Sequence, residues 1–167
     1  INIRGPPLEG IHSSSLGNNS NLDLGLYWIG QGVTNNWSDD NNWDTGTQPT
    51  VFDTLTFNGN TGANPNKDSI VDIFNSDNTI ASLTIDGYTG TITLTKNLTI
   101  TGDLTLKSGS LRGGAEGADE AIYLTIGGSW IKDGGAFDAG NSTVVFNDAS
   151  KPSYIYGDIT FYNFECA

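Results

Sequence analysis

The fold class that this 167-residue sequence predicts is all-β, a β-solenoid with about 20 residues per coil, and three observations predict it. The first is composition. Gly (22), Thr (19), Asn (18), Asp (15) and Ser (14) make up just over half of the chain, whereas Ala is 9, Glu is 4 and Met is absent. Turn and strand formers abound and the strong helix formers are missing, which excludes a helical bundle. The second is a period. Leu83-Thr84-Ile85, Leu104-Thr105-Leu106, Leu124-Thr125-Ile126 and Val144-Val145-Phe146 follow one another at steps of 21, 20 and 20, and one more step reaches Phe164-Glu165-Cys166. Strand alternation puts the outer residues of each triplet on one face. The third is a weaker column, Ile92, Leu111 and Trp130, each 19 apart, with Gly, Asn, Asp and Ser between columns. Short strands at a constant period are how stacked coils read. A β-sandwich or jelly roll also gives short strands and turns but needs no period, and it is the alternative.

The elements follow in order. Residues 1–25 carry Pro6-Pro7, Ser13-Ser14-Ser15 and Asn18-Asn19, and read as an N-terminal arm or linker before a solenoid domain at 26–167. Ile1 is preceded by neither Met nor signal peptide, the expectation for a processed or excised chain. Residues 26–58 hold three of the four tryptophans, Trp28, Trp37 and Trp43, and read as an aromatic cap segment. A coil end exposes an apolar cross-section that bulky rings cover, so terminal repeats are atypical. Residues 59–78 are polar apart from Ile70, Val71, Ile73 and Phe74, and regular coils occupy 79–167. In those coils Leu104, Leu106, Leu124, Ile126, Val144 and Phe146 are expected in one core, with in-register neighbours roughly 5 Å apart. The same step places Cys166, the single cysteine, in the column of Leu106, Ile126 and Phe146, and predicts a buried thiol. Ile159 and Phe161 alternate out of phase with Phe164 and Cys166, which requires a bulge or bend near Tyr162-Asn163.

Charge narrows the function classes. Seven Lys and Arg against 19 Asp and Glu leave a net charge of −12, which speaks against nucleic acid and anionic lipid partners. No apolar run approaches the roughly 20 residues of a membrane span. Low Lys with abundant Asn, Thr and Gly points to an extracellular or cell-surface setting. His12 is the only histidine and lies in the arm, so neither a Ser-His-Asp triad nor a His-based zinc site is expected. Arg4 and Arg112 are the only arginines. Asp138 and Asp158, 20 apart, fit either stacked carboxylates that work as acid and base or hold calcium, or two turn aspartates in equivalent corners, the more ordinary case. No catalytic residue and no cofactor are predicted.

Other patterns carry two readings each. Trp28, Trp37 and Trp43 fit a cap, and also a flat aromatic platform for glycans. Asp40, Asn42 and Asp44 have the alternation of a calcium loop. Thr45 stands where an EF-hand needs Gly and Val51 where it needs Glu, so a looser calcium site competes with Asx-turns. Thr91, Thr93, Thr95, Thr99, Thr101 and Thr105 fit ordinary strand propensity better than an ice-matching face, because Val145 breaks the row. Sequons at Asn18, Asn36, Asn97 and Asn141 are candidate glycosylation acceptors.

The run YWIGQGVTNNWSDDNNWD followed by PTVFDTLTFNG resembles the aromatic opening of large bacterial surface and adhesin-like proteins, in which a W…NW motif precedes TLTL-type β-helical coils. SLTIDGYTGTITLTKNLTITGDLTLKSGSL and DITFYNF continue in that style, so the resemblance spans roughly 27–166. It implies a right-handed parallel β-helix and an extracellular setting, and supplies no catalytic residue. The expected function is therefore a non-enzymatic structural or adhesive protein of the cell surface or an extracellular filament. Its partners would be other copies of itself, joined head-to-tail when the arm of one adds a strand to the open end of the next. The alternative is a carbohydrate-binding module or polysaccharide-active β-helix.

Overall fold

The computed structural model describes residues 25–115 and 121–167, and these form a right-handed parallel β-helix of about four coils. The arm, with His12 and the Asn18 sequon, lies outside the described residues apart from Gly25. Strand β1 (Leu26–Tyr27) precedes the first coil. That coil is β2 (Thr54–Phe57), β3 (Ser69–Val71) and β4 (Thr79–Ile80); the second is β5 (Ser82–Ile85), β6 (Thr91–Leu94) and β7 (Leu98–Ile100). The third is β8 (Leu104–Leu106), β9 (Ser110–Arg112) and β10 (Tyr123–Ile126), and the fourth is β11 (Trp130–Lys132), β12 (Ala136–Asp138) and β13 (Thr143–Phe146). Then β14 (Ile155–Tyr156) and β15 (Asn163–Cys166) open a fifth. The coil has three sides. The first side stacks β1-β2-β5-β8-β11-β14, the second β3-β6-β9-β12, and the third β4-β7-β10-β13-β15. All these strand pairs are parallel, so the sandwich alternative falls.

Alternation explains the core. Leu55, Leu83, Leu104 and Trp130 stack inward on the first side, Ile92 and Leu111 on the second, and Ile80, Ile100, Ile126 and Phe146 on the third; all are buried. Each such side chain contributes roughly 1.5–3 kcal/mol by leaving water. The six residues expected in one core, Leu104 to Phe146, are there. The Asn and Asp content also has a structural use. Asn66, Asp68, Asn97 and Asp103 accept, through Oδ1, the backbone N–H of Thr89, Thr91, Tyr123 and Ser129 one coil further on, at 2.7–2.9 Å. Corner side chains thus hold successive coils together where the ladders lapse.

One column of the sequence reading is corrected. Leu83 and Leu104 are in register on the first side, and Leu124 and Val144 on the third, but Leu104 does not stack on Leu124. Its neighbour is Trp130, so Trp130 also leaves the column of Ile92 and Leu111. Leu104 to Trp130, Leu111 to Phe137 and Ile100 to Ile126 are all steps of 26, and each crosses the stretch 113–122. The six extra residues nearly equal one side of a three-sided coil. A 20-residue step from Leu104 therefore lands one side early, on a triplet that looks the same. Coils also begin before residue 79, since β2, β3 and β4 form a complete coil. Their spacing to the next coil, 28 from Leu55 to Leu83 and 23 from Ser69 to Ile92, hid them from a 20-residue period.

Cys166 is the second correction. It follows Ile126 and Phe146 as expected, while Leu106 belongs to the first side, in register with Ile85 and Lys132. The thiol is exposed, because β15 has a neighbour on one side only among the described residues. The chain does bend at Tyr162, entering β15.

Candidate functional site

The two ends of the stack differ. At the β1 end the segment after Tyr27 crosses the coil opening. Trp28 packs edge-on to Trp43 (5.3 Å, 79°) and stacked on Phe57 (5.5 Å, 21°); Trp37 meets Trp43 at 5.7 Å and Phe74 at 5.4 Å. Each indole N–H is satisfied internally, Trp28 by the Lys67 carbonyl, Trp37 by the Ser69 hydroxyl and Trp43 by the Trp37 carbonyl. The three rings are at most 1% exposed. They form a cap, and no indole face is left for a sugar ring.

The polar loop between these tryptophans holds them in place. Asp39 caps a single 3-10 turn, Asp40–Asn42, by accepting the Asn41 N–H. Asp40 accepts the Gln48 N–H, and Asp44 accepts the Tyr27 N–H. Asn42 is fully buried; its Oδ1 accepts the Gly32 N–H and its Nδ2 donates to the Thr34 and Asn36 carbonyls. The oxygens weighed for calcium are thus each turned to a different backbone donor rather than to one centre. Asn42→Ala strands a donor and two acceptors, and is expected to destabilise the fold by about 2–3 kcal/mol, read from urea unfolding. The Asp39 carboxyl is held below its ordinary range chiefly by the Thr34 backbone N–H, helped by the Thr34 hydroxyl and Asn41 and opposed by burial. A depressed carboxyl stabilises above its unfolded value and loses that contribution as pH falls through its folded value. Acid titration below about pH 4 is therefore expected to loosen the cap, followed by tryptophan emission, with a smaller acid-induced change in Asp39→Asn.

Strand edges at this end are also closed. On the first side the Tyr27 carbonyl accepts the Asp44 N–H, beyond the Asp44 carboxylate already described. On the second, Ile70 donates to Asn35 and accepts from Trp37. On the third, the Asn75 side chain brackets Thr79, its Oδ1 accepting the N–H and its Nδ2 donating to the carbonyl. All three sheets are thereby stopped.

The opposite end is not closed among the described residues. There β12, β14 and β15 are the last strands of their sheets, each paired on one side only. Phe161 lies 5.6 Å from Trp130 and 5.3 Å from Phe164, and Phe164 lies 5.8 Å from Phe146. These rings cover the fourth coil from above, yet Ile155, Tyr162 and Phe164 are 43%, 65% and 44% exposed. The cap segment was legible in the sequence; which backbone and side-chain groups close each edge was not, because that resides in tertiary pairing.

The remaining candidates disperse. Asp138 is bound to Arg112 across coils at 3.0 Å and to the Gly140 N–H, while Asp158 is exposed in the corner after β14. No group of three or more His, Cys, Asp or Glu converges as metal ligands among the described residues. Of the sequons, Asn97 is exposed, whereas Asn36 and Asn141 are half-buried. The threonines divide among three sides and the corners, and in-register triads are Thr56-Thr84-Thr105 and Thr79-Thr99-Thr125. No described helix is long and apolar enough to cross a membrane. Comparison with protein-family models, with curated proteins and with solved structures gives no match.

Proposed function

We propose that the chain is a structural coil block of a cell-surface or extracellular assembly, joined to its neighbours by strand addition at its open end. The observation that carries this reading is the one-sided closure among the described residues: every sheet is stopped at the tryptophan end, whereas β12, β14 and β15 are each paired on one side only. Unpaired parallel edges beside apolar rings are templates for further strands. The dispersal of its carboxylates favours a structural over a catalytic role, and the resemblance to large bacterial surface proteins speaks for the same setting. Light scattering over a concentration series, with electron microscopy of the same samples, tests it. Mass that rises with concentration is expected, and a monomer throughout would overturn it. A carbohydrate-binding role draws on one feature, the exposed pair Tyr154 and Tyr156, 5.9 Å apart on the outer face of the first side. Glycan-array binding lost in Tyr156→Ala would favour that second reading.

A further inference from the structure

We propose that Asn97 is a site of N-linked glycosylation: the folded coil presents its side-chain amide nitrogen to a glycosyl donor and sets Tyr123 beside it as a platform for the first sugar. This goes beyond the structural reading and takes from it only the extracellular setting. An acceptor asparagine needs a reachable Nδ2, a Ser or Thr hydroxyl two residues on, and a product that fits the fold. Asn36 does not meet these needs. It is half-buried, the next residue is the buried Trp37, and the Ser38 hydroxyl donates to Asp72. Asn141 does not meet them either. It is half-buried, and Thr143, which carries its hydroxyl, is 4% exposed.

Asn97 meets all three. It precedes β7 at the corner between the second and third sides and is exposed. Strand alternation buries Leu98 and Ile100 and turns Asn97 and Thr99 to the same outer face. The amide is divided between two tasks. Its Oδ1 accepts the Tyr123 N–H of the next coil at 2.9 Å. Glycosylation replaces one N–H of Nδ2 and leaves Oδ1 an acceptor, so the bond between coils survives the modification. Leu98 is in register with Leu124, which sets Tyr123 directly over Asn97 at the strand spacing of roughly 4.8 Å. Tyr123 is 43% exposed, and its phenol offers a flat apolar face to the C–H groups of a pyranose and a polar edge to its hydroxyls.

The step is a group transfer. Nδ2 of Asn97 forms a bond to the anomeric carbon of a hexose, and the bond from that carbon to the diphosphate of a nucleoside-diphosphate hexose breaks. The nucleoside diphosphate leaves with the electron pair, and the amide loses a proton to a base on the transferase. The test uses the full folded chain, that donor, and a soluble transferase specific for Asn-X-Ser/Thr, with the product digested and mapped by mass spectrometry. Oligomer mass is not read, so failure here and failure of the assembly reading are separate results. One hexose is expected at Asn97 and none at Asn36 or Asn141. Peptides cut from the same chain are expected to accept hexose at all three positions. Thr99→Val removes the hydroxyl, keeps the Asn97 bond to Tyr123, and is expected to abolish the addition. The modified protein is expected to melt at a higher temperature than the unmodified one, and Tyr123→Ala, whose N–H still reaches Asn97, is expected to lose that shift. An unmodified Asn97, or hexose on Asn36 or Asn141 of the folded chain, would overturn the assignment. Peptides that refuse hexose at Asn36 and Asn141 would overturn the claim that the fold makes the selection. An equal melting shift in Tyr123→Ala would overturn the platform.

Discussion

Trp43→Ala is expected to be among the most damaging single substitutions, lowering stability by about 3–5 kcal/mol. Its ring is the centre of the cap, touching Trp28, Trp37 and Phe57 at 5.3, 5.7 and 6.0 Å, and it is 1% exposed. Removal leaves a cavity over the first coil and deprives the Trp37 carbonyl of its indole donor. In a chain of this size the loss corresponds to a fall in melting temperature of roughly 10 °C. Val33, 98% exposed in the same loop, is the control, and Val33→Ala should fall within about 0.5 kcal/mol of the parent. Urea unfolding followed by far-ultraviolet circular dichroism decides the matter. A loss below about 1 kcal/mol for Trp43→Ala would mean that the cap is not part of the cooperative core.

Gly59→Ala carries the second large effect, and for a different reason. Gly59 has φ of 67° at the corner after β2, and a Cβ there would stand 2.2 Å from the Gly87 carbonyl oxygen of the next coil. The left-handed backbone alone costs an alanine roughly 1–2 kcal/mol. The clash is with backbone on a stacked coil, so relief requires the coils to part, and the total is expected to reach about 3 kcal/mol or more. Gly46 separates the two contributions. It has φ of 70° with nothing within 4 Å of the Cβ position, so Gly46→Ala should show the conformational cost alone. Equal losses at the two sites, measured by the same urea titration, would show that coil spacing at the Gly59 corner yields freely.

The class of fold was legible because it depends on local rules. A triplet such as Leu83-Thr84-Ile85 buries two side chains by alternation alone, whatever lies above it. The stacking of Leu124 on Leu98 was not legible, because register is a property of two strands and the chain between them. An insertion close to one side in length keeps the repeat visible while rotating its meaning. Of the candidate site, the clustering of Trp28, Trp37 and Trp43 was readable as a cap or as a platform. Only their burial, and the turning of Asn42 inward onto three backbone groups, separated the two.

The sequence by itself determined an all-β coil, most of the residues that fill its core, the bend before β15 and the clustering of the aromatic cap near its start. Each follows from propensity and period, which act between near neighbours in the chain. Tertiary structure alone decided which columns are continuous, that the thiol of Cys166 is exposed, and which groups close the strand edges at the tryptophan end. Those are outcomes of hydrogen bonding between residues far apart in sequence, such as Trp37 with Ile70, and a backbone donor carries no letter that announces whether it will be met.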